Sequence, residues 1–297
     1  VLKELEEKKL RDLFYNLEMP LVDVLFKIEK NGIRLDCEFL NRLCKDFDDR
    51  LNRLMQDIFK ISQRPFNINS PKQLSEILFK ELKLPVVKKT KTGPSTDEEV
   101  LRKLSQQHKL PSLILQYRHV AKLKSTYVDV LPGLCDKNTE RIHSNFLQTG
   151  TETGRLSSNN PNLQNIPIRT ELGREIRKAF VSTSAKWSLL SCDYSQIELR
   201  ILAHLSKDDV LREAFQEGRD VHKATAALIF QVDIKDVQEE MRSVAKTVNF
   251  GVIYGMSAYG LSKDLGISAC EAQNFIDTYF LKYAKVSEFI NSQIEFA

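Results

Sequence analysis

Three stretches of this chain gather side chains able to do chemistry. The first is Ser191-Cys192-Asp193-Tyr194-Ser195-Gln196-Ile197-Glu198-Leu199-Arg200. The apolar residues over 188–193 predict a short, largely buried strand that delivers Asp193 to its C-terminal end, with a helix starting directly afterwards. A carboxylate in that place, with a neighbouring main-chain carbonyl, can hold a hard cation. The plainer reading is that Asp193 caps the helix.

The second stretch carries Arg242, Lys246, Phe250 and Tyr254 at a constant spacing of four, followed by Gly251 and Gly255 among the last of them. Each step of four advances about 40° beyond a full helical turn, so the four side chains form one slowly twisting stripe. Two cations, an aromatic face and a phenol in a row suit a triphosphate at one end and a base with its sugar at the other. A solvated basic face running into core aromatics would have the same composition. The two glycines weaken a helix for no packing gain, which favours the first reading. The third stretch, residues 153–169, is a loop dense in amides, hydroxyls and arginine. Such groups can read minor-groove acceptors with little sequence preference, although long Asx-rich surface loops are common.

These stretches need elements to position them. Leu17, Leu21, Val24, Leu25 and Ile28 follow helical spacing over 12–30, and Asn31-Gly32 predicts an αL-type stop. Asp36 then caps a long helix whose apolar positions, Leu40, Leu43, Phe47, Leu51, Leu54 and Ile58, step by three or four until Pro65. Capping boxes are expected at Ser70 with Gln73, Thr96 with Glu99 and Ser268 with Glu271. A basic loop, VVKKTKTGPST, separates the first two, and a long helix over 111–131 is closed by Pro132-Gly133. Residues 37–133 thus read as a long antiparallel helical pair with a basic tip. Arg141 to Thr149 alternates like a strand, and helices are expected over 196–206, 208–217, 221–230, 236–254 and 269–283.

Composition excludes several classes. The 297 residues are 42% hydrophobic and 28% charged, as in a folded domain rather than a disordered tail. Forty-four basic against 40 acidic residues leave a net charge of +4, a bias towards polyanions too mild to identify a partner. Five scattered cysteines without a C-x-x-C pair speak against a disulfide framework or a cysteine zinc site. No run approaches the length of a membrane span, and none resembles a secretory signal.

Taken in order, the three stretches resemble the family A DNA polymerases of the bacterial DNA polymerase I type. DYSQIELR resembles that family's first palm motif, the R-x-x-x-K-x-x-x-F-G-x-x-Y-G run its nucleotide-binding fingers helix, and TGRLSS with PNLQNIPIR its primer-template loop. FNINSPKQL, TKTGPST and YRHVAKLKSTYVD are similar to its thumb. The resemblance implies an α+β, right-hand architecture with a mostly helical thumb and fingers around a small antiparallel palm sheet. It implies a palm entry segment over 1–36, a thumb over 37–133, a palm core over 134–207 and incomplete fingers over 208–297.

The implied activity is template-directed DNA synthesis from deoxynucleoside triphosphates by two-metal nucleotidyl transfer, in replication or repair. Asp193 would be the ligand shared by two Mg²⁺ ions, with the Tyr194 main-chain carbonyl as second ligand; Asp193 and Lys246 would be the catalytic residues. Arg242, Lys246 and His222 would hold phosphates, Phe250 would stack near the incoming base, and Gln196 would join the nucleotide site. Glu198, packed with Tyr254, would block a ribose 2′-hydroxyl. Phenylalanine rather than tyrosine at 250 suggests discrimination against 3′-deoxy terminators. His222 reads equally well as a first-turn residue after the cap Asp220. Arg155, Asn162, Gln164 and Arg169 would contact primer and template, and Asn67, Asn69, Ser95, Thr96, Lys122, Lys124 and Ser125 the duplex backbone. The implied setting is a monomer on primer-template DNA in the bacterial cytoplasm, at the nucleoid, with no membrane partner.

The family's second palm aspartate, carried by a His-Asp-Glu run, has no counterpart here: the only Asp-Glu pair is Asp97-Glu98, with no histidine before it. The sequence is therefore expected to be a piece of a polymerase, truncated before that motif and inactive alone. A non-catalytic primer-template-binding module is the alternative. A single-subunit RNA polymerase is disfavoured by Glu198 and Phe250.

Overall fold

A computed structural model describes residues 1–91, 93–168 and 170–296. The chain divides into two compact units, Val1–Leu190 and Ser191–Ala297. The first is built on the helix Cys37–Ser62, where the Asp36 carboxylate accepts a hydrogen bond from the Phe39 N–H at 2.8 Å. Its apolar stripe packs against the helix Lys109–Leu123, and Leu40, Phe47, Ile58, Leu110 and Ile114 are fully or almost fully buried. Each such side chain contributes roughly 1.5–3 kcal/mol of hydrophobic stabilisation. The segment before it behaves differently. Of its predicted apolar face only Leu25 is buried, whereas Leu17, Val24 and Ile28 are exposed.

Among the described residues the strands are short: β1 Ile33–Leu35, β2 Lys89–Thr90, β3 Gly93–Pro94, β4 Arg141–Ile142, β5 Asn145–Leu147, β6 Ser157–Asn159 and β7 Phe180–Val181. β1 lies between β4 and β7, antiparallel to both, with Ile33 opposite Ile142 and Leu35 opposite Phe180. β2 pairs with β3, and β5 with β6, also antiparallel. Gly32 leads into β1 with φ +56°, and a Cβ there would stand 2.5 Å from the Ile142 carbonyl oxygen. Glycine is required on both counts.

Local expectations fail where tertiary partners decide. The strand expected over 188–193 does not form, and Leu189 and Leu190 are 58% and 87% exposed. A strand needs a neighbour for its N–H and C=O groups, and no described strand pairs with this run. The 141–149 strand is two strands serving different sheets. The cap expected at Thr96 sits one residue on, where the Asp97 carboxylate accepts from the Val100 N–H at 2.9 Å. Asp97 also holds the Lys88 ammonium at 2.7 Å, a tie that Thr96 could not make. At Ser70 half of the capping box forms: the Ser70 hydroxyl accepts from the Gln73 N–H, but the Gln73 side chain turns to the Asn67 N–H. Pro132-Gly133 lies inside a further short helix, Leu131–Leu134, because proline suits a first helical turn.

The second unit is helical: Ile197–Ser206, Asp209–Gln216, Val221–Phe230, Glu239–Ile253, Ala258–Leu265, Ala269–Lys282 and Ala284–Phe296. Its core joins Leu199, Leu211, Val221, Ala226, Ala245, Val248, Leu261, Tyr279 and Val286. Ser268 and Glu271 form the expected capping box in full. The Ala258–Leu265 helix, opened by Ser257, was not foreseen from sequence.

Candidate functional site

The helix Glu239–Ile253 has two faces. Ala245, Val248 and Val252, stepping by three and four, are buried in the core of the second unit. Arg242, Lys246 and Phe250 follow the other side and line a cleft of about 380 Å³. The segment Asp193 to Glu198 lines the same cleft. His222, from the first turn of Val221–Phe230, completes it. Asp193, Tyr194, Gln196, Glu198, His222, Arg242, Lys246 and Phe250 therefore meet in one place. Tyr254 does not: it ends the helix, is 61% exposed, and lines an adjacent apolar cleft of about 490 Å³ with Ile201, Leu202, Phe289 and Ile290. Glu198 borders both clefts.

The acidic wall is held by its own chain. Gln196 adopts φ +53°, which turns the backbone sharply before the helix Ile197–Ser206. The Arg200 guanidinium donates to the Ser195 carbonyl at 2.9 Å and lies 4.6 Å over the Phe215 ring, a cation–π contact that fixes the turn. Asp193 and Tyr194 are left exposed beyond it, and the cap role is not taken by Asp193. The Gln196 Oε1 is buried with no hydrogen-bond partner among the described residues.

The basic wall is partly neutralised. The Arg242 Nε donates to Asp220 Oδ2 at 2.8 Å, and one guanidinium nitrogen reaches Glu239 at 3.4 Å. Burial pushes the Asp220 carboxyl up, but the Arg242 guanidinium and the N–H groups of Lys223 and His222 outweigh it and hold the carboxyl below its ordinary value. The bond to Asp220 raises the Arg242 value further. Lys246 is exposed and has no ion pair with a described residue. It is the free cation of the cleft among those residues. His222 is only 2% exposed. Burial pushes its imidazole down to about 4; Asp220 opposes this, and Arg242 and Lys246 add to it. The ring is neutral near pH 7. Its Nδ1 lies 2.8 Å from the Asn249 amide nitrogen, and its face is tilted against Phe250 at 5.8 Å.

Asn249, fully buried, was missed by sequence reading. Its signal was available: an amide on the core side of a helix, between Val248 and Phe250, must find partners. The carboxylates that line the cleft are Asp193 and Glu198, beside main-chain carbonyls; the exposed one is Asp193. No group of three His, Cys, Asp or Glu side chains is assembled among the described residues. One carboxylate with oxygens from a bound phosphate is a habitual magnesium environment, so the residues present fit that ion once a phosphate ligand is there.

The first unit holds the other predicted positions. Asn67 and Asn69 are exposed on either side of buried Ile68, and the Asn67 side-chain Oδ1 accepts from the Asn69 N–H at 3.0 Å. Ser95 and Thr96, both 6% exposed, border a cleft of about 980 Å³ with Lys72, Asp97 and Arg118. The Arg118 guanidinium donates to the Thr96 carbonyl at 2.7 Å, and burial lowers its value. Lys88 draws the Asp97 carboxyl down to about 2. Lys122 and Ser125 are exposed. Lys124 is not an open cation: it is 16% exposed and paired to Asp129 at 2.7 Å and Asp48 at 3.3 Å. Arg155 is exposed. The Asn162 side chain accepts from the Gln164 N–H at 3.0 Å, and the Gln164 amide donates to the Leu156 carbonyl at 3.0 Å, so the loop is braced by the residues expected to read DNA. The Tyr127 hydroxyl, in a π-helical turn over Lys124–Val128, donates to the Asn165 carbonyl and ties the loop to the helices. Arg169 lies outside the described residues.

The family model for DNA polymerase family A matches residues 37–297. DNA polymerase I of Caldicellulosiruptor bescii is 50% identical over 285 residues, covering 96% of this chain and 33% of that protein. DNA polymerase I of Bacillus subtilis is 47% identical over 295 residues, covering 99% and 34%. The thermostable DNA polymerase I of Thermus aquaticus is 49% identical over 291 residues, covering 97% and 35%. The chain thus spans about a third of the length of these relatives. Among solved structures, the POL domain of Pol1 from M. smegmatis, in complex with DNA primer-template and dNTP, aligns with a TM-score of 0.88 at 40% identity, covering 98% of this chain and 51% of that one. The fold is that of a family A polymerase domain, α+β with small antiparallel sheets.

Proposed function

Because the chain belongs to DNA polymerase family A, we propose that it is part of an enzyme of template-directed DNA synthesis, and that the cleft between Asp193 and the Glu239–Ile253 helix takes the incoming deoxynucleoside triphosphate. One observation carries the reading: an exposed carboxylate and a row of cation, cation and aromatic ring line one cleft of about 380 Å³. That volume falls in the usual range for small-molecule sites.

Lys246 binds the triphosphate as a point charge, and Arg242 binds it with the guanidinium face that Asp220 leaves open. Asp220 holds the Arg242 Nε. Phe250 offers its ring to the base, and Glu198 crowds the sugar 2′ position. Asp193, with the Tyr194 carbonyl, would hold Mg²⁺. When bound in pairs, that ion supplies charge against the phosphate oxygens and favours the ionised primer 3′-hydroxyl. In the first unit, Asn67, Asn69, Ser95, Thr96, Lys122, Ser125 and the 153–168 loop contact the duplex, chiefly through phosphates. Lys124 serves these contacts indirectly, by holding the π-helical turn in place. Domain limits at 36, 133 and 207 are proposed on the same basis, as are action as a monomer and a place in the bacterial cytoplasm. No helix among the described residues is long and apolar enough to cross a membrane.

The test is single-turnover primer extension by the full-length protein and its Asp193→Ala variant, with primer-template affinity measured alongside. The reading predicts loss of extension with DNA binding retained. Retained extension would remove Asp193 from the chemistry, and loss of DNA binding together with extension would assign it a structural role.

A further inference from the structure

His222, which lines the cleft, belongs to a chain of buried polar groups. Thr225 and Asn249 are fully buried, and His222 and Tyr283 are each 2% exposed. The Thr225 hydroxyl donates to Asn249 Oδ1 at 3.1 Å and lies 3.4 Å from the Tyr283 hydroxyl. The Asn249 amide nitrogen lies 2.8 Å from His222 Nδ1. Four residues from three helices, Val221–Phe230, Glu239–Ile253 and the end of Ala269–Lys282, are threaded on one line.

The line has a direction. In one sense the Tyr283 phenol donates to Thr225, Thr225 donates to the Asn249 carbonyl, and the amide donates to His222 Nδ1. Every group then has a partner. In the opposite sense His222 Nδ1–H donates to a turned Asn249 carbonyl, the amide donates to Thr225, and Thr225 donates to Tyr283. The phenol proton of Tyr283 is then left without an acceptor in a buried place; if Thr225 accepts from the phenol instead, it is the Thr225 proton that has no acceptor among the described residues, and either is costly. The neighbouring Tyr279 cannot supply one: its ring is 4.8 Å away, and its hydroxyl is itself buried with no partner among the described residues. The first sense is therefore preferred. A neutral imidazole carries one proton, and an accepting Nδ1 puts it on Nε2. His222 lines the cleft beside Arg242 and Lys246.

We propose that Asn249, oriented by Thr225 and Tyr283, is a positioning residue that fixes His222 as the Nε2–H tautomer, so that the ring offers a hydrogen-bond donor to a nucleotide phosphate oxygen. This rests on the reading of the cleft as a nucleotide site. The arrangement gives the cleft a neutral donor alongside its two cations. Burial favours the neutral ring, consistent with the lowered His222 value. A neutral donor does not add to the repulsion between Arg242 and Lys246, and a fixed tautomer costs no reorganisation when the phosphate arrives.

The experiment uses the ¹⁵N-histidine-labelled chain and dATP with Mg²⁺. Long-range ¹H–¹⁵N spectra at pH 7 should show the His222 Nδ1 unprotonated and Nε2 protonated. Asn249→Leu should abolish this preference and weaken dATP binding about tenfold. In a His222→Ala background the same substitution should change dATP affinity by less than twofold, because Asn249 acts through the ring; a merely structural role would give the same loss in both backgrounds. Tyr283→Phe, a gentler change, should also erode the tautomer preference if Asn249→Leu fails to fold. An Nδ1–H tautomer in the parent chain, or unchanged dATP affinity in Asn249→Leu, would overturn the inference while leaving the nucleotide site standing. No dATP binding by the parent chain would overturn the nucleotide reading and, with it, the donor's target, whatever tautomer is seen.

Discussion

Acidification should loosen the helical second unit through His222. The folded imidazole sits at about 4 against an ordinary value of 6.5, chiefly because burial disfavours its charged form. The charged groups facing it are Asp220, which opposes the shift, and Arg242 and Lys246, which reinforce it. In the unfolded chain the ring takes up a proton near 6.5, whereas in the folded chain it does so only near 4. The unfolded state therefore binds more protons between these values, and stability falls as pH is lowered through the window. At about 1.4 kcal/mol per pH unit, the full loss is about 3 kcal/mol, complete just below pH 4. Above pH 6.5 the contribution is constant. The assay is urea unfolding at pH 7.5, 6, 5 and 4, followed through amide signals of the 239–253 helix, for the parent chain and for His222→Gln. Asp220, with its lowered value, titrates below this window in both proteins. The difference between the two should shrink or reverse by about 3 kcal/mol from pH 7.5 to pH 4. A pH-independent difference would show that His222 is not held neutral by burial, and the reasoning would fail.

Lys246→Ala should weaken dATP binding ten- to a hundredfold by titration calorimetry, since a charge-assisted contact to phosphate contributes roughly 1.5–3 kcal/mol; an unchanged affinity would remove Lys246 from the site. Glu198→Ala in the full-length protein should raise ribonucleotide incorporation at least tenfold relative to deoxynucleotide, and unaltered sugar selection would refute the steric role. Lys122 and Lys124 should separate cleanly. Lys122→Ala should lower the salt dependence of primer-template binding by about one counterion, with no change in stability. Lys124→Ala should cost the first unit about 1–2 kcal/mol by denaturant unfolding, because it leaves Asp48 and Asp129 facing each other; the reverse pattern would restore Lys124 as the direct DNA contact.

What was legible in the sequence was periodic or local. The helix Cys37–Ser62 follows from six apolar positions and one cap, and the cleft-facing row follows from a spacing of four that the core residues Ala245, Val248 and Val252 leave open. What was not legible depends on partners far along the chain. Leu189 and Leu190 suggest a strand, but a strand also needs a neighbour to pair with, and no described strand pairs with this run. The basic character of Lys124 is plain, but beside its near neighbour Asp129 it is also paired to Asp48, 76 positions earlier. Thr96 satisfies the capping pattern, and Asp97 displaces it because a carboxylate can hold both a backbone N–H and Lys88. Asn249 was passed over because it stands among core residues, where a polar side chain has meaning only through what lies opposite it.

The central claim is that Asp193 and the Arg242–Lys246–Phe250 row serve one nucleotide. It is tested most directly by a crystal structure of the chain soaked with a non-hydrolysable deoxynucleoside triphosphate and Mn²⁺, the metal being placed by its anomalous signal. The account predicts phosphate oxygens within hydrogen-bond reach of Lys246 and a Mn²⁺ peak between them and the Asp193 carboxylate. A triphosphate bound elsewhere, or a Mn²⁺ peak without Asp193 among its ligands, would contradict it.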